Sequence, residues 1–191
     1  LQESIANHKI VEKKVLDILK TYSEVKNQFF DKGFADDIFF GSNKSFLAWP
    51  VDPSLGITAY FLDAGYKSFF GVPHKAIDLR ASMGTAIKAP ADGVVINVVG
   101  GESNDYHYIM LAHSDGVVTL FGHVYDEYVK VGEKVKKGHV IGLTGGMPGT
   151  SGAGYMTTGP HLHFEVFRDG KHINPLDLLD TSKLKSTDLL N

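Results

Sequence analysis

Apolar residues near the start of the chain recur at alternating steps of four and three. The series is Val11, Val15, Ile18, Tyr22, Val25 and Phe29. This is the a/d spacing of a coiled-coil seam, and lysine and glutamate occupy the other faces. The pattern predicts a helix over residues 1–30. Two interpretations stay open: an amphipathic helix packed on its own domain, and part of a longer coiled coil that would bind a partner chain or a membrane complex.

Beyond residue 46 the apolar positions form short runs of the β type. We predict strands over residues 86–99, 107–113, 117–123 and 161–167, bounded by glycine, aspartate or asparagine turns. The stretch 32–45 mixes glycine and aspartate with phenylalanine, which is typical of a linker. The predicted organisation is a helical segment with its linker over 1–40, a β domain over 41–180 and a C-terminal tail over 181–191.

A short internal echo indicates how the β region folds. The segments that begin at Gly84 and Gly132 share the form Gly-x-x-[Ile/Val]-Lys, and each precedes a glycine and an aliphatic run. Two such hairpin-like units folded against each other would form a small antiparallel sandwich. The predicted fold class is therefore mainly β: an antiparallel β-sandwich or barrel-like domain with an N-terminal, coiled-coil-like α-helix.

The composition narrows the chemistry. The chain of 191 residues contains no cysteine, so a metal would have to be held by histidine or carboxylate side chains. A formal net charge of −3 gives no basic field, which argues against a nucleic-acid partner. The apolar runs are far shorter than the ~20 residues that span a bilayer. Because the sequence begins with leucine, we expect any signal or anchor segment to lie outside it.

Two histidine motifs indicate a metal site. On a regular strand His74 and Asp78 would lie ~13 Å apart, so they can share one ion only if the segment is a helical turn or if the chain bends between them. Pro73 before it and the strand-like residues from Asp78 onward favour the bend. In the strand predicted over 161–167, His161 and His163 point to one face but lie ~7 Å apart. One of these two should bind the metal, and the other should stand beside it as an acid–base or oxyanion-binding group.

Other features of the β region extend this picture. His123 ends a strand beside a glycine and is ambiguous by itself. The stretch 145–159 contains six glycines and directly precedes the second histidine motif, which favours the rim of a binding site. Three protein ligands with an open fourth position would form a catalytic zinc site, at which the ion lowers the pKa of bound water toward ~7. The histidines without a partner pattern are interpreted as surface or packing residues: His8, His107, His139 and His172.

These motifs strongly resemble those of the lysostaphin/LytM-type zinc endopeptidases of bacterial cell walls. The resemblance covers residues 46–179. Its most specific part is Thr158-Gly-Pro-His-Leu-His-Phe-Glu-Val166, and the weaker motifs occur in the family's order. They include Trp49-Pro-Val51, His74-Lys-Ala-Ile-Asp78, Gly84-Thr-Ala-Ile-Lys88, Gly122-His123 and Gly132-Glu-Lys-Val-Lys-Lys-Gly138.

The resemblance implies specific roles for these residues. It implies that His74, Asp78 and His163 bind Zn²⁺ and that His123 and His161 form the catalytic pair. It also implies an antiparallel β fold and cleavage of peptide bonds in peptidoglycan stem peptides or cross-bridges, in the periplasm or the cell wall. Family members use an upstream tyrosine near the substrate, and Tyr60 and Tyr66 both qualify.

Two other classes of protein share parts of these patterns. A non-catalytic LytM-like activator of a cell-wall amidase would have the same fold, but the complete set of five residues disfavours it. A biotinyl- or lipoyl-type carrier would need an exposed lysine, usually beside a methionine, and the sequence has no Met-Lys pair.

We further expect the N-terminal helix to restrain the enzyme by docking over its groove or by holding it in a larger coiled coil; alternatively, it only stabilises the fold.

Overall fold

A computed structural model describes residues 2–29 and 47–184, and two α-helices and eleven β-strands are found within these ranges. The helices are α1 (Gln2–Phe29) and α2 (Ala64–Phe70). The strands are β1 (Ile57–Ala59), β2 (Ile77–Arg80), β3 (Ala86–Lys88), β4 (Gly93–Val99), β5 (Tyr108–Ala112), β6 (Val117–Gly122), β7 (Val124–Glu127), β8 (Lys134–Val135), β9 (Val140–Thr144), β10 (His161–Arg168) and β11 (Lys171–Ile173). The predicted linker and residues 185–191 of the predicted tail lie outside the described residues.

The strands form two sheets. In the larger sheet the order is β1-β2-β10-β6-β5-β4-β8, with β11 beside β10, and in the smaller sheet it is β3-β9-β7. All pairings between these named strands are antiparallel. The prediction of a mainly β, antiparallel domain preceded by a helix is therefore confirmed.

The two units of the internal echo connect the sheets. β3 pairs with β9 and β4 pairs with β8, so the units do fold against each other as predicted. They are not hairpins, however, because the two strands of each unit lie in different sheets. The single strand predicted over 86–99 is also wrong. The chain leaves the smaller sheet after Lys88 and enters the larger one at Gly93, since Pro90 between them has no N–H to donate to a ladder.

The main core lies between the two sheets. Ile109, Phe121 and Phe164 occupy neighbouring register positions of β5, β6 and β10, and all three are fully buried. The smaller sheet contributes Ile87 and Ile141 to the same cluster. Cross-strand contacts of this kind fix the register of the three central strands, and these strands carry much of the candidate site.

Helix α1 covers the outer face of the larger sheet. Val15, Leu19 and Tyr22 are buried against a second apolar cluster, whose sheet members are Tyr108, Met110, Ala112, Val118, Leu120 and Phe167. The sheet is therefore apolar on both faces, and the seam residues Val11 to Val25 are buried or partly buried within their own domain. This packing agrees with the amphipathic-helix interpretation rather than with a coiled coil. Neither helix in the described ranges is long and apolar enough to cross a membrane.

A buried histidine in the larger sheet predicts acid sensitivity. His113 donates from Nδ1 to the Asp92 carbonyl at 2.8 Å, and its Nε2 accepts from the Thr119 hydroxyl at 2.9 Å. Burial lowers its pKa to about 4, whereas an unfolded histidine titrates near ~6.5. The unfolded chain therefore takes up a proton that the folded chain refuses, and stability is lost as the pH falls from about 6.5 toward 4.

We expect His113→Asn, which keeps a donor for Asp92, to remove up to ~1.4 kcal/mol per pH unit from this slope. Urea unfolding at several pH values between 4.5 and 7.5 measures the free energy of unfolding directly. His139→Asn is the matched control, because His139 is exposed. An unchanged slope in His113→Asn would contradict the prediction.

Candidate metal centre

Three adjacent strands bring the predicted site residues together. Asp78 on β2 and Gly122 on β6 are both register partners of His163 on β10. Strands in a sheet lie ~4.7–4.9 Å apart, so side chains at these positions can meet. His74 reaches the same place because the chain bends just before β2, at residue 76, as the sequence predicted. His123 directly follows β6.

Two imidazole nitrogens converge on one carboxylate oxygen. His74 Nε2 lies 3.1 Å from Asp78 Oδ1, and His163 Nδ1 lies 2.9 Å from the same oxygen. One donor atom from each of the three residues lies within 4.8 Å of the others. His74 and Asp78 are buried, and His163 is only slightly exposed. Two histidines and one carboxylate that converge in this way are compatible with a bound metal ion.

The outward hydrogen bonds of these histidines fix their tautomers. His74 Nδ1 lies 2.8 Å from the Tyr60 carbonyl and must donate to it. His163 Nε2 faces the Glu165 carboxylate at 3.3 Å and donates as well. In neutral imidazoles the inward nitrogens then carry lone pairs aimed at Asp78. Lone pairs and a carboxylate repel one another unless a proton or a cation lies among them, so the donor set fits a divalent metal ion.

The electrostatics of the centre also favour positive charge. Burial alone would raise the pKa of Asp78, but the neighbouring His161, His163 and His74 hold it well below its usual range. Burial opposes the charged form of His163, yet hydrogen bonds to Asp78 and Glu165 outweigh it and raise its pKa to about 10. A metal ion would compete with this proton, and its binding would release protons.

The other two predicted residues form a second pair beside this centre. The rings of His123 and His161 lie 4.5 Å apart, and His161 Nε2 lies 3.6 Å from Asp78 Oδ2. His123 donates from Nδ1 to the Ala153 carbonyl at 2.9 Å, and His161 donates from Nδ1 to a carbonyl at 2.8 Å, so both present Nε2 inward. Burial, assisted by the neighbouring His161 and His163, lowers the pKa of His123 and keeps it neutral.

The backbone at His123 is in the left-handed region, with φ of 57°. Such a conformation costs a β-carbon residue on the order of 1–3 kcal/mol and persists only where the surroundings enforce it. Here the chain passes from β6 in the larger sheet to β7 in the smaller one. Gly145 N donates to the His123 carbonyl at 2.8 Å, and the Gly145 carbonyl accepts from His161 N at 3.3 Å. The base of the 145–159 loop thus ties the two histidines together.

Two tyrosines lie against the histidines. Tyr66 stacks on His74 with ring centroids 4.1 Å apart, whereas Tyr60 contributes its backbone carbonyl to that ring and packs against the main core. Of the two tyrosines left open by the sequence, Tyr66 is therefore the one at the site. Tyr106, which the sequence did not indicate, is partly buried, and its ring lies edge-on to His123 with the ring centroids 5.0 Å apart. A Cβ at Gly122 would overlap its hydroxyl, which explains the glycine there.

A cavity of about 530 Å³ opens onto this centre. The 145–159 loop contributes Tyr155 and Met156 to its lining, as expected for the rim of a binding site. The opposite wall is the N-terminal half of α1, which contributes residues between Glu3 and Val15. The helix therefore covers the sheet with one part of its length and borders the candidate site with another.

Two of the histidines interpreted as surface or packing residues lie beside carboxylates. His172 on β11 lies 2.6 Å from the Glu165 carboxylate, which in turn faces His163. Glu165 thus orients a candidate ligand, as carboxylates beside metal-binding histidines commonly do. His107 is buried with Nδ1 3.2 Å from Glu127 Oε1. The first pair forms across the hairpin of β10 and β11, and neither pair belongs to a motif recognised in the sequence.

Comparison with known proteins identifies the family. A model of peptidase family M23 matches residues 72–175, more than half of the chain and all five predicted site residues. The chain belongs to this family, and the resemblance to LytM- and lysostaphin-type peptidases is thereby confirmed.

Several relatives are named for peptidase activity. An uncharacterized metalloprotease of Buchnera aphidicola is 33% identical over 181 residues, which are 92% of this chain and 46% of that protein. Peptidoglycan DD-endopeptidase ShyC of Vibrio cholerae is 38% identical over 102 residues, 53% of this chain and 22% of ShyC. The crystal structure of a zinc-containing peptidase from Vibrio cholerae aligns with a TM-score of 0.54 and 30% identity, covering 66% of this chain and 37% of that one. The chain spans less than half the length of these relatives.

Proposed function

We propose that the chain is a zinc-dependent endopeptidase that hydrolyses peptide bonds in peptidoglycan stem peptides or cross-bridges. The observation that carries the proposal is the convergence of two inward-facing imidazole nitrogens on one Asp78 oxygen, an arrangement that suits a divalent cation. Membership of a peptidase family and likeness to a peptidoglycan endopeptidase support the reaction and the substrate class. The place of action would then be the periplasm or the cell wall.

In this proposal His74, Asp78 and His163 hold the ion. His123, His161 and His163 also have donor atoms within 4.8 Å of one another, but that group contains no carboxylate. The set with Asp78 is preferred because its anionic ligand offsets part of the dication's charge and lies between the two histidines. Bound Zn²⁺ would act as a Lewis acid and lower the pKa of a coordinated water.

His123 and His161 would supply the proton transfers. Both present Nε2 toward the centre, and both are held by a backbone carbonyl at Nδ1, so neither ring needs to turn during the reaction. His123, kept neutral by burial, is ready to accept a proton at Nε2 and to return it to the departing amine. The stacked Tyr66 restricts the position of His74 and borders the cavity.

The alternative, a non-catalytic activator of a cell-wall amidase, does not require this arrangement. Such a protein could lose any of the five side chains without losing its docking surface. Here all five are present, and their polar atoms point to one centre. The peptidase therefore accounts for more of the observed geometry.

Digestion of purified peptidoglycans tests the proposal. Walls with glycine cross-bridges and walls with direct D-amino-acid cross-links would be incubated with the zinc-loaded chain, and the fragments would be analysed by mass spectrometry. We expect release of peptides cut at one type of bond, and chelation of zinc should stop the release. Intact cross-links in all walls, with zinc bound and the protein folded, would refute the proposal.

The position of α1 predicts that its removal raises activity. Deleting residues 1–40 opens one wall of the cavity, so we expect hydrolysis of isolated wall material to rise several-fold with unchanged zinc content. Because the deletion also uncovers Tyr108, Met110 and Leu120, the melting temperature should fall. Both quantities would be measured on the same truncated protein. Unchanged or lower activity together with a lower melting temperature would leave the helix with a stabilising role alone.

A further inference from the structure

We infer that Lys75 binds a carboxylate of the peptide substrate and that Glu12 of α1 occupies this position as an internal substitute. The inference rests on the proposed function, since it concerns the substrate of the same site. An ion pair joins the two walls of the cavity, because Lys75 Nζ contacts Glu12 Oε1. The proposed catalytic chemistry does not use this pair.

The position of Lys75 links it to the reacting centre. It directly follows His74, whose ring faces Asp78, and its side chain lines the cavity. A peptide laid across the centre would therefore pass within reach of its ammonium group. A lysine is a flexible point charge with three donors, so it can bind a carboxylate from several directions.

The charges of the cavity leave few other places for an anionic substrate group. Four carboxylates line it, namely Glu3, Glu12, Asp105 and Glu165, against two lysines, Lys14 and Lys75. Glu165 is already held between His163 and His172. Of the two lysines, Lys75 is the one adjacent to a candidate metal ligand. Away from the candidate metal centre, a substrate carboxylate in the cavity would otherwise meet mainly like charge.

Glu12 is suited to displacement. The Lys75 and Glu12 side chains are 37% and 28% exposed, so water and solutes reach the pair. Exposed ion pairs of this kind contribute little to stability, and a substrate carboxylate can replace Glu12 at small cost. The neighbouring contact is apolar: the Ile5 side chain lies against Gly71, where an added Cβ would come within 3.1 Å of Ile5 Cδ1. Glu12 thus supplies the charged part of the helix contact beside His74.

The test compares cross-linked muropeptide dimers that have free carboxylates with the same dimers after amidation. Calorimetry on the metal-free full chain measures binding without cleavage. We expect the wild-type protein to prefer the free carboxylates, and Lys75→Met to weaken their binding about fivefold while leaving the amidated dimers unaffected. Lys75→Arg, which keeps the charge, should retain the preference.

Substitution of Glu12 on α1 is the second part of the test. Glu12→Gln should tighten binding of the free-carboxylate dimers about threefold and should have no effect in a Lys75→Met background. Glu24→Gln is the matched control, since Glu24 is exposed on the same helix outside the cavity. Equal binding of free and amidated dimers by the wild type, or equal losses for both in Lys75→Met, overturns the inference. Absence of cleavage by the zinc-loaded wild type would instead refute the proposed function, so the two failures are distinguishable.

Discussion

Alanine at His123 or at His161 is expected to leave zinc bound and to reduce turnover by about 10²–10⁴-fold, the usual contribution of a general acid–base group. Neither side chain is needed for the three-ligand set of His74, Asp78 and His163. Both rings, however, present Nε2 to the centre from fixed positions. Their removal should therefore affect proton transfer more than metal binding.

Elemental analysis and steady-state hydrolysis of a defined muropeptide, performed on the same preparations, separate these effects. His139→Ala is the control for loss of a histidine, because it is exposed and lines no part of the cavity. Near-wild-type turnover in both variants would remove the two residues from the mechanism. Loss of zinc from either variant would instead favour the ligand group of His123, His161 and His163.

Asp78→Ala is expected to remove both metal and activity. The carboxylate stands between His74 and His163 and is the only anionic member of the donor set. Loss of an outer-shell partner typically costs 10–100-fold in metal affinity, so loss of this ligand should cost more than about 100-fold. Competition with a fluorescent zinc chelator measures the affinity, and circular dichroism checks that the variant folds.

Asp105→Ala is the matched control, because Asp105 lines the same cavity but belongs to neither donor group. It should bind zinc as the wild type does. Stoichiometric, tight zinc binding by Asp78→Ala would show that the ligand set has been assigned wrongly.

Sequence periodicity was sufficient for α1 and three central strands but not for the partners of the strands. The seam of α1 and the central strands β5, β6 and β10 were predicted close to their observed bounds. The division of each Gly-x-x-[Ile/Val]-Lys unit between two sheets was not predicted, since a run of apolar residues does not show which sheet it joins. In β5, moreover, both faces are buried, and the alternation that would distinguish inside from outside is absent.

The residues of the candidate site were likewise predicted only in part. The bend between His74 and Asp78 followed from the distance that one ion permits, and the five side chains converge as the motifs suggested. Tyr106 and His172 were missed because their contacts depend on tertiary structure. Tyr106 meets His123 only after a loop folds back, and His172 meets Glu165 only after β11 pairs with β10. No spacing along the chain encodes either contact.

The continuity of α1 couples the two surfaces that it touches. Its 28 residues form one rod, about 42 Å long at the usual rise per residue. Moving the end that borders the cavity as a rigid body also disturbs Val15, Leu19 and Tyr22 on the sheet. If α1 restrains the enzyme, its apolar packing on the outer face of the sheet would set the free-energy cost of opening the site. Each ~1.4 kcal/mol removed from that packing would raise the open population about tenfold.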